Sequence, residues 1–204
     1  MIVFITKKIF SCFFKLFYRT EIIGLDNVPK EGGVIICSNH LSNLDPFLLG
    51  YKLERNIRWL AKIELFRYRI IAFYIKKFGV VPVNRDKGDS NAILTALSLL
   101  QNREAVGIYP EGTRALRNKK RISIVHVGVA MLALKSGCPV IPVRIITDYK
   151  IFSKTKAIFG KAFYITDEAT KTIKTTGETI YEQISYEKYK EISNEIMDVV
   201  YSLN

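Results

Sequence analysis

Short apolar runs alternate with helical patterns along most of the chain. Apolar runs bounded by polar residues predict buried strands, which lie at 34–37, 57–61, 80–83, 105–109, 140–146 and 157–165, with a shorter candidate at 21–24. Apolar positions at helical spacing predict helices at 46–54, 64–77, 90–102 and 126–136, and a terminal helix after residue 185. This alternation predicts an α/β fold, a single domain with a mixed β-sheet flanked by helices.

The first 20 residues carry an amphipathic pattern. One helical stripe holds phenylalanines at positions 10, 13, 14 and 17, and most of the basic residues fall on the other side. Charges interrupt the segment too often for a spanning helix, and the order of residues does not fit a cleavable signal peptide. The stripe fits a helix docked on the protein's own core, and it also fits a helix in a membrane interface. Because the segment has basic but no acidic residues, we expect residues 1–19 to be an amphipathic membrane-associating helix and residues 20–204 to form the main domain.

Charge narrows the choice of partner. The 204 residues hold 31 Lys and Arg against 19 Asp and Glu, a net charge of +12, and the basic surplus lies in residues 1–160. The partner is therefore expected to be anionic: nucleic acid, phospholipid headgroups or a phosphorylated substrate. A hydrophobic content of 49% excludes a disordered chain. Three scattered cysteines without a CxxC pair indicate neither a disulfide framework nor a zinc site.

Candidate chemistry begins directly after the first buried strand, in the sequence SNHLSNLDP. His40 carries the side chain best suited to take a proton near neutral pH, and Asp45 is placed to hold its other nitrogen. A histidine after a strand and an Asp-Pro helix start are also common structural features. The two interpretations are compatible, because a capping Asp45 still reaches back to His40 across a tight loop.

Three other predicted strands are each followed by a cation. Lys62 follows the strand at 57–61, Arg85 follows the strand at 80–83, and Arg114 ends the turn after the strand at 105–109. If these strands are neighbours, three positive charges surround His40 and favour a phosphate-bearing substrate. In so basic a protein, cations also follow strands by chance, and the residues alone leave both interpretations open. Sequence signatures of a nucleophile elbow, a P-loop and an HExxH zinc site do not occur.

Taken together, NHLSNLD, the segment 62–65, GVVPVNRD, YPEGTR and the VIPV at 140–143 resemble the glycerolipid acyltransferase family in order and spacing. Within that family, the likeness is strongest to bacterial 1-acyl-glycerol-3-phosphate acyltransferases, and it spans about residues 20–165. The resemblance implies that His40 and Asp45 are the catalytic pair. It also implies phosphate-binding and site-shaping roles for residues of the other motifs: Lys62, Arg85 and Arg114 for the phosphate, and Glu111, Gly112 and Thr113 for the shape of the site. Backbone N–H groups of residues 111–113 are candidate donors to the oxyanion.

The activity that the resemblance implies is acyl transfer from acyl-CoA or acyl-ACP to the sn-2 hydroxyl of lysophosphatidic acid, which gives phosphatidic acid. No metal and no cofactor are expected, since the acyl thioester is a co-substrate. The expected location is the cytoplasmic face of the cell membrane, where a peripheral or monotopic enzyme meets anionic lipid through residues 1–19 and the basic, aromatic segment 65–77.

Two alternatives stay open. The same chemistry on another acceptor, glycerol 3-phosphate or a lyso-amino-acid lipid, needs the same base and anion pocket. A non-enzymatic, basic nucleic-acid-binding module also fits the net charge and the 12% aromatic content. In the first 20 residues, however, the aromatic side chains belong to an apolar helix and are not interleaved with basic residues on a strand platform. We therefore expect no nucleic-acid partner.

Overall fold

A seven-stranded mixed sheet organises the part of the chain that this computed structural model describes, residues 2–84, 90–114, 124–166 and 184–204. Its strands are β1 (Arg19–Ile23), β2 (Val34–Ser38), β3 (Ile57–Lys62), β4 (Val81–Val83), β5 (Ala105–Ile108), β6 (Val140–Ile146) and β7 (Lys154–Phe159). Their order across the sheet is β1-β7-β6-β2-β5-β3-β4. From β6 to β4 all neighbours are parallel, whereas β7 is antiparallel to β6 and parallel to β1. The predicted α/β fold with a mixed sheet is confirmed.

Helices cover both faces of this sheet. They are α1 (Ile2–Phe17), α2 (Asp45–Gly50), α3 (Arg69–Lys77), α4 (Ser90–Gln101), α5 (Gly128–Ser136) and α6 (Tyr186–Ser202), with short 3-10 helices at Leu25–Asn27 and Ile63–Arg67. Successive residues of β2 face opposite sides, so Ile36 packs in one core cluster and Ile35 in the other. The first cluster is rich in aromatic side chains and includes residues of α1 and α2. The second is mainly aliphatic and includes residues of α4, α5 and α6.

Several element boundaries differ from the predictions for local reasons. The predicted helix at 64–77 is divided, because Tyr68 is extended between the 3-10 helix and α3. The strand predicted at 157–165 is β7, which starts earlier and ends at Phe159. Beyond it, the chain returns to the sheet only as an isolated bridge between Phe163 and Val140. The candidate strand at 21–24 is β1, and it ends where Gly24 takes the left-handed conformation, with φ 75°.

Helix α1 turns its phenylalanine stripe toward the protein's own core. Phe14 is fully buried, and Phe10, Phe13 and Phe17 pack against the aromatic cluster. The ring of Phe10 stacks on that of Phe47 in α2, with centroids 4.0 Å apart. Of the two interpretations of the stripe, docking on the protein's own core is the one observed. The phenylalanine stripe is therefore not the surface that a membrane would meet.

The outer face of α1 carries a second apolar set. Its large hydrophobic side chains are 47–62% exposed: Phe4, Ile5, Ile9 and Leu16. Lys8 and Lys15 are exposed on the same helix, whereas Lys7 reaches inward and donates a hydrogen bond to the carbonyl of Leu53 at 2.8 Å. In the described residues, no helix combines the length and the apolar character needed to cross a membrane.

Candidate active site

The carboxyl ends of four neighbouring parallel strands meet at one edge of the sheet. β2, β5, β3 and β4 are adjacent in that order and run in the same direction. His40 follows β2, the turn from Glu111 to Arg114 follows β5, and Lys62 is the last residue of β3. Arg85, which follows β4, lies outside the described residues. The sequence placed the cations around His40 only if these strands are neighbours, and they are. Open α/β sheets bind ligands at this edge.

His40 and Asp45 form a close pair at this edge. Nδ1 of His40 lies 2.7 Å from Oδ2 of Asp45, and the exposed fractions of the two side chains are 16% and 0%. Because an ionised carboxylate only accepts hydrogen bonds, we assign the ring hydrogen to Nδ1. Nε2 of the neutral ring then keeps its lone pair. A histidine held at one nitrogen and able to take a proton at the other is suited to general-base catalysis.

Asp45 also fixes the loop that carries its histidine. Oδ2 accepts the backbone N–H groups of Leu41 at 2.7 Å and Ser42 at 2.9 Å, in addition to the imidazole. The carboxylate is the first residue of α2, yet it makes no capping hydrogen bond to that helix. The capping role that the sequence allowed is therefore not the one observed, and the side chain turns back over the loop.

Asn39 anchors the start of the same loop to β6. Its side-chain amide donates to the carbonyl of Ile145 at 3.0 Å and its carbonyl oxygen accepts the N–H of Ile145 at 2.8 Å. This two-way pairing continues the contact between β2 and β6 past the last ladder pair, Ser38 with Val143. Since Asn39 is 1% exposed, the pairing is protected from water, and His40 leaves the sheet from a fixed position.

A stack of three rings lies behind the imidazole. The His40 ring is stacked on Tyr109 at 4.1 Å between centroids, and Tyr109 is stacked on Trp59 at 4.6 Å. Trp59 lies across Gly107 of the adjacent strand, where any Cβ atom would collide with the indole. Burial raises the pKa of Tyr109 well above its usual range, and the charge of Asp45 adds to this, so the phenol stays neutral. Sequence reasoning assigned no role to either aromatic residue.

Tyr149 contacts the other oxygen of the Asp45 carboxylate. Its hydroxyl donates a hydrogen bond of 2.5 Å to Oδ1 of Asp45. Burial, followed by the charge and the hydrogen bond of Asp45, raises the pKa of Tyr149 far above its usual value. The phenol therefore keeps its proton and remains a donor. Nothing in the sequence motifs marked this residue, which lies 104 positions after Asp45.

Glu111 is buried beneath the pair and joins three elements. Its Oε2 accepts the backbone N–H of His40 at 3.2 Å, and its Oε1 accepts the hydroxyl of Tyr201 from α6. Arg144 of β6 places its guanidinium over the ring of Tyr201, 4.0 Å from the centroid. Burial raises the pKa of Tyr201, and the hydrogen bond to Glu111 raises it further. Glu111 thus contacts the backbone of His40 directly, and its predicted site-shaping role stays a prediction. Tyr201 is a second residue that the sequence did not reveal.

The turn after β5 is buried at Gly112 and reaches solvent at Thr113 and Arg114. Gly112 takes a left-handed conformation with φ 65° and donates its N–H to the carbonyl of Tyr109 at 3.0 Å, which closes the turn. This N–H is therefore already used and is not a ready oxyanion donor. Thr113 and Arg114 are exposed, as is Lys62 at the end of β3. Two of the three predicted phosphate ligands are thus placed at the same edge as His40.

The described residues also bear on metal binding and on thiol chemistry. In the ranges that the structure describes, no group of three His, Cys, Asp or Glu residues is arranged to hold a metal ion. Cys37 is fully buried in β2, and burial followed by the charge of Glu111 raises the pKa of its thiol. A thiol kept neutral in this way is a poor nucleophile.

The fold and the contact between His40 and Asp45 agree with the acyltransferase family that the motifs resemble. The family model described as Acyltransferase matches residues 19–146, and the chain belongs to this family. The match contains His40, Asp45, Lys62 and the turn from Glu111 to Arg114. Tyr149 and Tyr201 lie beyond it.

Similar proteins agree with this assignment. The 1-acyl-sn-glycerol-3-phosphate acyltransferase of Bacillus subtilis is 30% identical over 142 residues, which cover 69% of this chain and 67% of that protein. The enzyme of the same name from Borreliella burgdorferi is 30% identical over 135 residues, 65% of this chain and about half (53%) of that protein. The crystal structure of the 1-acyl-sn-glycerophosphate (LPA) acyltransferase PlsC from Thermotoga maritima has the same fold. Its TM-score is 0.67 at 23% identity, over 98% of this chain and 80% of that one.

Proposed function

We propose that the protein transfers a fatty acyl group from an acyl thioester, acyl-CoA or acyl-ACP, to the sn-2 hydroxyl of 1-acyl-sn-glycerol 3-phosphate and so forms phosphatidic acid. The observation that carries the proposal is the His40–Asp45 pair, 2.7 Å apart at the edge of the sheet. Membership of the Acyltransferase family supports the reaction class. The names of the Bacillus and Borreliella relatives support lysophosphatidic acid as the acceptor.

The proposed reaction needs one base and no covalent enzyme intermediate. Nε2 of His40 takes the proton of the sn-2 hydroxyl while that oxygen attacks the thioester carbonyl, and Asp45 stabilises the imidazolium. The tetrahedral intermediate collapses with cleavage of the C–S bond, and the imidazolium returns the proton to the leaving thiolate. A positioned base of this kind contributes a rate factor of about a hundred to ten thousand. The thioester is consumed as a co-substrate, and the mechanism uses no further cofactor or metal.

The cations at the edge supply the acceptor site in this proposal. Arg114 and Lys62 bind the phosphate of lysophosphatidic acid, and Arg85, which follows β4 in the sequence and lies outside the described residues, is proposed as a third phosphate ligand from its motif alone. Arginine suits this role because its planar guanidinium binds two phosphate oxygens at once. Holding the phosphate places the hydroxyl beside the imidazole and makes the encounter effectively intramolecular.

The outer faces of α1 and α3 are proposed to hold the enzyme on the cytoplasmic face of the membrane. On α3, Ile70 is 77% and Phe73 51% exposed, and Lys76 and Lys77 end the helix. Exposed apolar side chains beside lysines fit the interface of an anionic bilayer. Both acyl-CoA and acyl-ACP are anionic, so the basic surface fits either donor.

Leu16 offers a direct test of membrane binding, with Leu94 of α4 as a matched control because both side chains are 62% exposed. We expect Leu16→Glu to reduce binding to phosphatidylglycerol vesicles in a sedimentation assay, whereas Leu94→Glu binds like the native chain. Equal binding of all three proteins would contradict a membrane role for α1.

The activity itself is tested with a labelled acyl thioester and lysophosphatidic acid, supplied in detergent micelles or vesicles, with both donors in parallel. We expect phosphatidic acid from the native chain and a loss of activity of about a hundredfold or more for His40→Ala, with circular dichroism showing that the variant is still folded. Glycerol 3-phosphate and a lyso-amino-acid lipid are run as alternative acceptors. Turnover of one of these in place of lysophosphatidic acid would contradict the proposed acceptor. Full activity of His40→Ala would contradict the role of His40 as the base.

A further inference from the structure

The two oxygens of the Asp45 carboxylate have different partners. Oδ2 accepts hydrogen bonds from His40 and from the backbone of Leu41 and Ser42. Oδ1 accepts the hydroxyl of Tyr149 at 2.5 Å. The bonds at Oδ2 come from the loop beside Asp45 itself, whereas the bond at Oδ1 comes from the far side, after β6. A carboxylate bound at both oxygens is held against rotation about its Cβ–Cγ bond.

Tyr149 is itself held firmly. The backbone φ angle of Tyr149 is 52°, in the left-handed region. Residues other than glycine rarely adopt this conformation, because it costs conformational free energy. Its N–H donates to Oγ1 of Thr147 at 3.0 Å, and Thr147 is paired in turn with the buried Thr155 of β7 at 2.8 Å. Its ring meets Tyr18 edge to face, with centroids 5.9 Å apart. A strained backbone that is secured on several sides is typical of a functional position.

We infer that Tyr149 is a positioning residue of the catalytic pair, which acts through Asp45 to keep the imidazole of His40 in place. The inference rests on the proposed function, in which His40 is the base. Tyr149 lies beyond the family match, which ends at Ile146, so the family assignment does not supply this role. Without the hydroxyl, Oδ1 loses its donor, the carboxylate gains freedom to rotate, and the Nδ1 hydrogen bond is made for less of the time.

The test is Tyr149→Phe, which removes one oxygen and keeps the ring against Tyr18. Tyr51→Phe is the matched control, because Tyr51 belongs to the same aromatic cluster and its hydroxyl lies near Thr20, away from the site. We expect kcat of Tyr149→Phe to fall about tenfold to a hundredfold, the range for loss of a hydrogen bond to a charged group, while KM for the acceptor stays within about twofold. Tyr51→Phe keeps the native kcat.

A double-mutant cycle shows whether Tyr149 acts through Asp45. In an Asp45→Ala background we expect Tyr149→Phe to change kcat by less than about twofold, because the group through which it acts is gone. A role in general packing would instead lower kcat by the same factor in both backgrounds. Equal factors, a native kcat for Tyr149→Phe, or a change confined to KM would each overturn the inference.

A second measurement does not depend on turnover. The chain has two histidines, His40 and His126, so their ring signals are readily separated by proton and nitrogen NMR. We expect the Nδ1–H signal of His40 to weaken or move in Tyr149→Phe and to persist in Tyr51→Phe, with His126 unchanged in both. An unchanged His40 signal in Tyr149→Phe overturns the positioning role. An inactive native chain with the expected NMR change would contradict only the proposed function.

Discussion

The two halves of the candidate site differ in how far the protein itself fixes them. In the base half, Asp45 is fully buried and receives hydrogen bonds at both oxygens, and His40 is stacked on Tyr109. In the phosphate half, Lys62 and Arg114 are exposed, and neither has a hydrogen bond or ion pair with another residue in the described ranges. In the proposed mechanism the base half is therefore preorganised, and we expect the two exposed cations of the phosphate half to be ordered by the ligand.

This difference separates two contributions to the rate. Groups that are already in place cost nothing to reorganise when the reaction occurs, so the base half acts mainly on kcat. Long cationic side chains lose rotamer freedom when they bind, at about 0.5–1.5 kcal/mol for each side chain, which lowers the affinity gained from their charge. The phosphate half is thus expected to act mainly on KM, and each variant below tests one side of this contrast.

The largest effect is expected for Asp45→Asn. An amide at this position donates to Nδ1 and moves the ring hydrogen to Nε2, where the base must accept a proton, so kcat should fall about a thousandfold to ten-thousandfold. The weaker hydrogen bonds to Leu41 and Ser42 should also lower the free energy of unfolding by about 1–3 kcal/mol. Steady-state kinetics and chemical denaturation measure the two changes. Asp26→Asn, at an exposed carboxylate, serves as the control, and a native kcat for Asp45→Asn would contradict the assigned tautomer.

Arg114→Ala should have the next largest effect, and this effect should be on KM and not on kcat. Loss of a charge-assisted bond to phosphate should raise KM for lysophosphatidic acid about tenfold to a hundredfold and leave the melting temperature unchanged, because the side chain is exposed. Arg114→Lys should recover part of the affinity. Arg103→Ala is the matched control, since Arg103 is also an exposed arginine but pairs with Glu31. If kcat falls and KM is unchanged, the contrast between the halves is wrong.

Lys62→Met should give a smaller change of the same kind. A single ammonium binds phosphate as a point charge, so we expect KM to rise about twofold to tenfold at low salt. The difference from the native chain should narrow as salt screens the charge. Acceptor titrations at two ionic strengths measure this, with Lys30→Met as an exposed control. A KM for Lys62→Met that equals the native value at low salt would remove Lys62 from the acceptor site.

The smallest expected effect concerns stability at high pH. The pKa values of Tyr109, Tyr149 and Tyr201 are raised in the folded protein, whereas unfolded tyrosines titrate near about 10. Above pH 10 the unfolded chain therefore loses protons that the folded chain keeps, and stability falls as the pH rises. Melting temperatures between pH 8 and about 11 should show this fall, with a shallower slope for Tyr149→Phe. An equal slope for both proteins would contradict a buried, neutral Tyr149.

The parts of the site that follow strands were accessible from the sequence. A strand end, a histidine and an aspartate five positions later are local features, and the structure brings His40 and Asp45 into contact. The predicted site required that the strands followed by the candidate residues be neighbours, and β2, β5, β3 and β4 are adjacent in the sheet. Because they are parallel, their carboxyl ends lie at the same edge. The residue roles taken from the family resemblance remain predictions until the variants are measured.

The residues that hold the pair were not accessible in this way. Tyr149 reaches Asp45 across 104 positions, and Tyr201 reaches Glu111 across 90, because β6 lies beside β2 and α6 packs behind both strands. No local pattern encodes such contacts. The sequence of α1 is ambiguous for a similar reason. An apolar stripe indicates a buried face, but protein and lipid can bury it equally well. Only the packed structure assigns Phe14 to the core.

The distance in sequence between Glu111 and Tyr201 has a consequence for synthesis on the ribosome. The loop of His40 and the turn of Glu111 emerge early, but the hydroxyl that completes Glu111 is translated 90 residues later. At about 5–20 residues per second, this interval lasts about 5–18 s. β1 is likewise translated before β7, its neighbour in the sheet. A nascent chain therefore carries His40 before Glu111 has its partner from α6, and the proposed acyl transfer is expected to begin only after α6 has left the exit tunnel and docked.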